Sequence, residues 1–164
     1  MRATGRGIRE LLPVVRERLA DLETPVSAFA KLRSLGGAFL LESAEGGERM
    51  GRYSFIGVAP RATLVFRDGI ATINEEGATR EVPYTDPLKV LRSEMAGCVR
   101  APARDLPRFS GGAVGYVAYE AARRFENLPT ARNEVHDLPE AAFAVYDTVV
   151  AFDHVRHALL VLAH

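Results

Sequence analysis

The chain has 164 residues, of which 48% are hydrophobic and 26% charged, and its 21 basic and 21 acidic side chains give a formal net charge of zero. That composition suits one globular domain able to bury its own core, and it excludes a disordered chain. No basic excess gathers phosphates, so nucleic acid is not expected as a partner, and the single cysteine, Cys98, excludes an internal disulfide framework.

No apolar run reaches the roughly 18 residues of a membrane span, so no membrane partner is expected. Arg9, Glu10, Pro13, Arg16, Glu17 and Arg18 interrupt what would be the core of a secretory leader, which points to a cytoplasmic location. Residues 1–13 are expected to form a mobile N-terminal arm, basic and glycine-containing over 1–7. Ile8, Leu11, Leu12, Val15 and Leu19 fit a helical face, yet Pro13 breaks its middle and Val14-Val15-Arg16 can open a strand. The next element is a helix: Thr24 is its N-cap, Pro25 takes the first helical position, Ala28, Phe29, Leu32 and Leu35 form one face, and Gly36-Gly37 end it. Beyond it the period falls to two. Strands are expected at 38–42, 53–58, 62–67 and 70–74, with Asp68-Gly69 as a hairpin turn. Asp86-Pro87 opens a second helix that runs to about Met95 through Leu88, Val90 and Leu91. Residues 97–108 carry prolines and no apolar period, and read as a linker. A strand and a short helix are expected over 109–125, and a polar loop over 127–140. An apolar hairpin follows, with strands 142–152 and 158–163 around Asp153-His154-Val155-Arg156-His157. The apolar strand 158–163, at the last residues, suggests a piece of a longer protein. Its open edge would favour a homodimer.

Few segments carry recognisable chemistry. In FSGGAVGYVAYE (109–120), Gly111, Gly112 and Gly115 match neither a dinucleotide fingerprint nor a P-loop, and the expectation is close backbone packing. His154 and His157 are near metal-ligand spacing but fall in a turn, apart from His136 and His164, so a solvated turn is expected. Cys98 has no neighbouring histidine to activate it. Glu120, Glu126 and Glu140 follow no acid–base pattern and read as a solvated face. There remains FLLESAEGGERMGRYSFIGVAP (39–60), where an apolar run stops at a carboxylate and a hydroxyl. Either the strand simply runs out into a polar loop, or its end faces an amino acid. In the second case Glu42 would meet the ammonium, Ser43 would donate and accept, and Tyr53 and Phe55 would wall in a flat side chain.

Four segments in order, DLETPVSAFAKL (21–32), FLLESAEGGERMGRYSFIGVAP (39–60), FSGGAVGYVAYEAARRFENLP (109–129) and YDTVVAFDHVRHALLVLAH (146–164), resemble the N-terminal region of anthranilate synthase component I. The resemblance implies an α+β domain over 14–164, with antiparallel sheets packed on each other and helices outside. This is the N-terminal half of the anthranilate/aminodeoxychorismate synthase fold, and it favours a strand near 14–20. It implies an enzyme that turns chorismate and ammonia into anthranilate and pyruvate on the route to tryptophan. The ammonia would come from glutamine through a separate amidotransferase subunit, component II. The chorismate-binding region and its Mg2+ would lie in a C-terminal part beyond this chain, so neither a cofactor nor a catalytic residue is expected here. What the resemblance does imply here is feedback control, with L-tryptophan as effector at Leu41, Glu42 and Ser43 and further contacts from Arg52, Tyr53 and Ser54. The alternatives are the corresponding part of aminodeoxychorismate synthase component I, in the folate pathway, and a standalone amino-acid-binding module.

Overall fold

Alternation with a period of two organises most of the chain. A computed structural model describes residues 9–36, 38–42, 51–100, 106–124, 126 and 138–164. Its strands are β1 (Arg9–Leu11), β2 (Val14–Leu19), β3 (Phe39–Leu41), β4 (Tyr53–Gly57), β5 (Ala62–Arg67), β6 (Ile70–Glu75), β7 (Ala78–Pro83), β8 (Cys98–Arg100), β9 (Gly112–Val117), β10 (Ala141–Tyr146), β11 (Thr148–Asp153) and β12 (Ala158–Ala163). The helices are α1 (Pro25–Leu32) and α2 (Pro87–Met95), with shorter 3-10 segments at Arg33–Leu35 and Tyr119–Arg124. Two antiparallel five-stranded sheets result, ordered β7-β6-β5-β10-β9 and β2-β12-β11-β4-β3, beside a small parallel pair β1-β8. The expected α+β architecture of antiparallel sheets is therefore present.

Each sheet carries a helix. Leu64, Phe66, Ala71, Ile73, Ala141 and Val145 of the first sheet form a core against which Val90, Leu91 and Met95 of α2 pack. Phe66 is fully buried and meets Tyr84 edge-on at 5.2 Å. Burying such side chains stabilises the sheet by about 1.5–3 kcal/mol each. On the second sheet, Ile56 and Phe152 pack against Ala28, Phe29 and Leu32 of α1. The two sheets meet where Phe39 of β3 touches Tyr146 of β10 at 4.8 Å, nearly perpendicular.

Local chemistry explains the boundaries. Thr24 and Ser27 form a reciprocal capping box at the start of α1: the Thr24 hydroxyl accepts from the Ser27 amide at 3.1 Å, and the Ser27 hydroxyl accepts from the Thr24 amide at 2.9 Å. Asp86 caps α2, accepting from the Leu88 amide at 2.9 Å. The β5-β6 hairpin turns at Asp68-Gly69, where both residues have positive φ, as a primed two-residue turn requires. At Gly115 a Cβ would lie 2.0 Å from the Ala142 carbonyl oxygen, so this glycine allows β9 to lie close against β10.

Several sequence expectations change. The single strand expected at 142–152 is two strands in different sheets: β10 pairs with β5 and β9, whereas β11 pairs with β12 and β4. Asp147 marks the crossing. Its carboxylate receives Arg61 Nε at 2.9 Å, and its carbonyl accepts from the His164 amide at 3.0 Å. An unbroken apolar run hid this, because a change of sheet needs no polar punctuation. β7 escaped detection for the opposite reason. It is an exposed edge with almost no alternation in burial. Within the expected linker 97–108, Cys98–Arg100 form β8, paired in parallel with Arg9–Leu11, so that part of the expected arm is a strand. Residues 1–8, the loop 127–137 and the second glycine of Gly36-Gly37 lie outside the described residues. The strand 158–163 is no open edge: β2 covers it along its length, from Leu19 opposite Ala158 to Val14 opposite Ala163. The homodimer expected from pairing of that edge loses its basis. Among the described residues, no helix is long and apolar enough to cross a membrane.

Candidate functional site

Strands β3, β4 and β11 and the turn after β11 converge at one end of the second sheet. β3 pairs with β4 so that Leu41 faces Phe55, and β4 pairs with β11 so that Tyr53 faces Asp153 and Ser54 faces Phe152. Side chains alternate along each strand, so Leu41, Tyr53, Phe55 and Asp153 share one face, and Ser54 lies on the other with Phe152.

Asp153 is the centre of this end. It is 1% exposed, and a buried carboxylate persists only if its oxygens are satisfied. Arg52 supplies two donors, Nη2 at 2.6 Å from Oδ2 and Nε at 3.1 and 3.2 Å from the two oxygens. The amides of Val155 and Arg156 donate to Oδ1 at 3.1 and 3.2 Å, which closes the tight turn of residues 154–157. Burial pushes the Asp153 carboxyl up. The hydrogen bonds from Arg52 and from the Arg156 amide outweigh it and leave the carboxyl below its ordinary value. In turn the hydrogen bond to Asp153 raises Arg52, and burial followed by the Asp153 charge raises the Tyr53 hydroxyl. The Arg52 guanidinium also lies over the Tyr53 ring, 4.9 Å from its centroid.

Above this arrangement opens a cleft of about 420 Å³ lined by Arg52, Tyr53, Leu106 and Arg156. It offers two guanidinium groups, one aromatic ring and one aliphatic side chain, a combination suited to a small ligand with an acidic end and an apolar body. Arg156 reaches across to Glu17 of β2 at 3.2 Å.

The structure distributes the sequence-derived site residues unevenly. Arg52 and Tyr53 line the cleft. Leu41 lies on the same sheet face beside Phe55, 46% exposed. Glu42 follows the last β3 pair and is exposed, and Ser43 lies outside the described residues. Ser54 is buried on the opposite face, where its hydroxyl lies 2.8 Å from His154 Nε2. The 154–157 turn is exposed, as expected, but His154 is not merely solvated, because it partners this buried serine. His164 is likewise engaged, with Nε2 2.9 Å from the Ser110 carbonyl oxygen. Sequence reasoning missed Asp153, Arg156 and Leu106. By residue type Asp153 reads as part of the turn. Its one available signal was a lone carboxylate ending an apolar run, the same signal that drew attention to Glu42. Among the described residues no group of three histidine, cysteine, aspartate or glutamate side chains could hold a metal.

Known proteins resemble this chain along nearly its whole length. It is 35% identical over 154 residues, 94% of its length, to anthranilate synthase component 1 of Acetivibrio thermocellus, of which it spans 31%. To the protein of the same name from Thermus thermophilus it is 40% identical over 158 residues, spanning 33% of that protein. No family model matches the chain. In three dimensions it covers 31% of the crystal structure of anthranilate synthase component I from Streptococcus pneumoniae, with a TM-score of 0.56 over 90% of this chain and 21% identity, a likeness of fold. The chain spans about a third of the length of the curated relatives it matches. The resemblance carried by its four motifs thus extends over more than nine-tenths of the chain, which is a homologue of part of anthranilate synthase component 1.

Proposed function

We propose that this chain is the regulatory, amino-acid-sensing portion of an anthranilate synthase component I and that its cleft takes L-tryptophan. The observation that carries this reading is the buried Asp153. It fixes Arg52 and Tyr53 at the mouth of a cleft beside the Leu41–Glu42 strand end. The indole would lie along Tyr53 and Leu106, and the exposed Glu42 and the segment around Ser43 would meet the ammonium. In the longer enzyme, the chemistry would belong to the remaining two-thirds or so, which would hold chorismate and Mg2+ and release anthranilate and pyruvate. Component II would deliver ammonia from glutamine, and the assembly would work in the cytoplasm. This portion would contribute no reacting group. It would convert tryptophan occupancy into a change of shape felt by the catalytic part, a coupling typically of about 1–3 kcal/mol.

Calorimetric titration of the chain with L-tryptophan, D-tryptophan and L-alanine tests the reading. Saturable heat with L-tryptophan, weaker with its enantiomer and absent with alanine, is the expected result. Equal heats for all three amino acids, or none for tryptophan, would overturn it.

A further inference from the structure

The two arginines of the cleft are held very differently. Arg52 is committed: two of its nitrogens contact a carboxylate that is 1% exposed, and its charge is matched there. Arg156 is anchored to this centre through its backbone, whose N–H donates to Asp153 Oδ1 at 3.2 Å. Its side chain reaches Glu17 with Nη2 at 3.2 and 3.5 Å from the two carboxylate oxygens, and both side chains are about half exposed. An ion pair between such solvated groups contributes little and exchanges readily with other partners. A guanidinium is also the side chain best matched to a carboxylate, because its planar donors can meet both oxygens at once. The wall of the cleft therefore holds one cation used to build the site and one cation that is exchangeable.

We infer that Arg156 is the carboxylate receptor of the cleft and that Glu17 occupies it in the absence of ligand. This rests on the reading that the cleft takes an amino acid, and it deepens that reading by naming the residue that selects for the acid group. On binding, the ligand carboxylate displaces the Glu17 carboxylate from Arg156, and Glu17 turns to water. Arg52 keeps its bond to Asp153 throughout. Glu17 thus acts as a built-in competitor that weakens ligand binding. Because β2 carries it, occupancy of the cleft also changes what is bound to an edge strand of the sheet.

Binding of L-tryptophan, indole-3-propionate and tryptamine to the full chain and to its Arg156→Gln, Arg156→Lys and Glu17→Gln variants tests this. Tryptamine lacks the carboxylate and indole-3-propionate lacks the ammonium. Arg156→Gln should weaken both acids about ten- to a hundredfold, the range of a charge-assisted hydrogen bond, and leave tryptamine unchanged. Arg156→Lys should recover part of that loss, and Glu17→Gln should tighten both acids roughly two- to fivefold. Unchanged affinity of the acids in Arg156→Gln, or an equal loss for tryptamine, would overturn the inference. Arg156-dependent binding of indole-3-propionate with no preference for tryptophan would support Arg156 as the receptor while overturning the amino-acid reading. Failure of the parent chain to bind any of the three would overturn both.

Discussion

The two five-stranded sheets are alike in size and pairing, but they differ in what they bury. The core between β7-β6-β5-β10-β9 and α2 is built from Ala62, Leu64, Phe66, Ala71, Ile73, Tyr84, Ala141 and Val145, with no charged side chain. The other sheet buries Ile56, Phe152, Leu160 and Leu162, but it also buries Ser54 of β4 and Asp153 of β11, on opposite faces of the sheet. Both polar groups lie at the end where the cleft opens, and each is matched to a side chain that comes from the surface, His154 for the serine and Arg52 for the aspartate. Ion pairs elsewhere, such as Arg80 with Glu94 and Lys31 with Glu23, join more exposed partners. The contrast teaches where to look for function in this molecule. Hydrocarbon can hold a sheet together, so the buried charge beside the cleft is what most distinguishes the second sheet from the first.

The largest expected effect lies in the sheet whose core holds no charged side chain. Phe66→Ala should destabilise the chain by about 3–5 kcal/mol in urea unfolding, through a cavity beside Tyr84 that the rigid sheet cannot close. It should leave ligand affinity of the folded fraction unchanged, and a large loss of affinity would mean that the two sheets are not separable in role.

Next comes Asp153→Ala, expected to cost about 2–3 kcal/mol. It strips the Val155 and Arg156 amides of their acceptor and leaves Arg52 unpaired. The cost stays below that of a fully buried pair because the Arg52 side chain is 38% exposed and can rehydrate. A loss under about 0.5 kcal/mol in the same assay would remove the distinction between the sheets.

The same carboxylate gives a pH signature. Its folded pKa is lowered, so the stability it contributes is fully present above its unfolded value, near 4, and is lost as pH falls through the lower folded value. Asp153→Asn should flatten the acid limb of the stability profile below about pH 4 and leave its shape above pH 6 unchanged. A steepened acid limb would show that the group is not held as a carboxylate.

The smallest effect separates the two histidines of the turn. His154→Ala should cost about 1 kcal/mol by leaving the Ser54 hydroxyl without its partner. His157→Asn should stay within about 0.5 kcal/mol, since His157 is exposed and has a positive φ that asparagine tolerates. Equal effects in thermal unfolding would return His154 to the status of a solvated turn residue.

The legible parts of the sequence were those in which one local signal sufficed. Thr24-Pro25 and Asp86-Pro87 marked helix starts because a cap acts over three residues, and 53–58, 62–67 and 70–74 alternated because one face of each strand is buried. The run 142–152 was misread because its apolar residues serve two sheets in succession. β7 went unread because it buries almost nothing. In the cleft, Tyr53 was read from its residue type next to the strand end and Arg52 through the resemblance, but their partner Asp153 is about a hundred residues away in sequence. No spacing rule relates two residues joined only by strand register. Arg156 and Leu106 were missed for the same reason, since they reach the cleft only through tertiary packing.

The pairing of β2 with β12 has a consequence in time. Val14–Leu19 finds its hydrogen-bonding neighbour only in Ala158–Ala163, near the other end of the 164 residues. During synthesis at roughly 5–20 residues per second, β2 therefore waits on the order of ten seconds after leaving the ribosome before its partner strand has even been made. The five strands β5, β6, β7, β9 and β10 meet earlier and through closer neighbours, so that sheet can form while the other remains open. In the interval Val14, Val15 and Leu19 have no sheet to join, and Arg16, Glu17 and Arg18 between them keep the waiting segment soluble and discourage it from pairing with a second nascent chain.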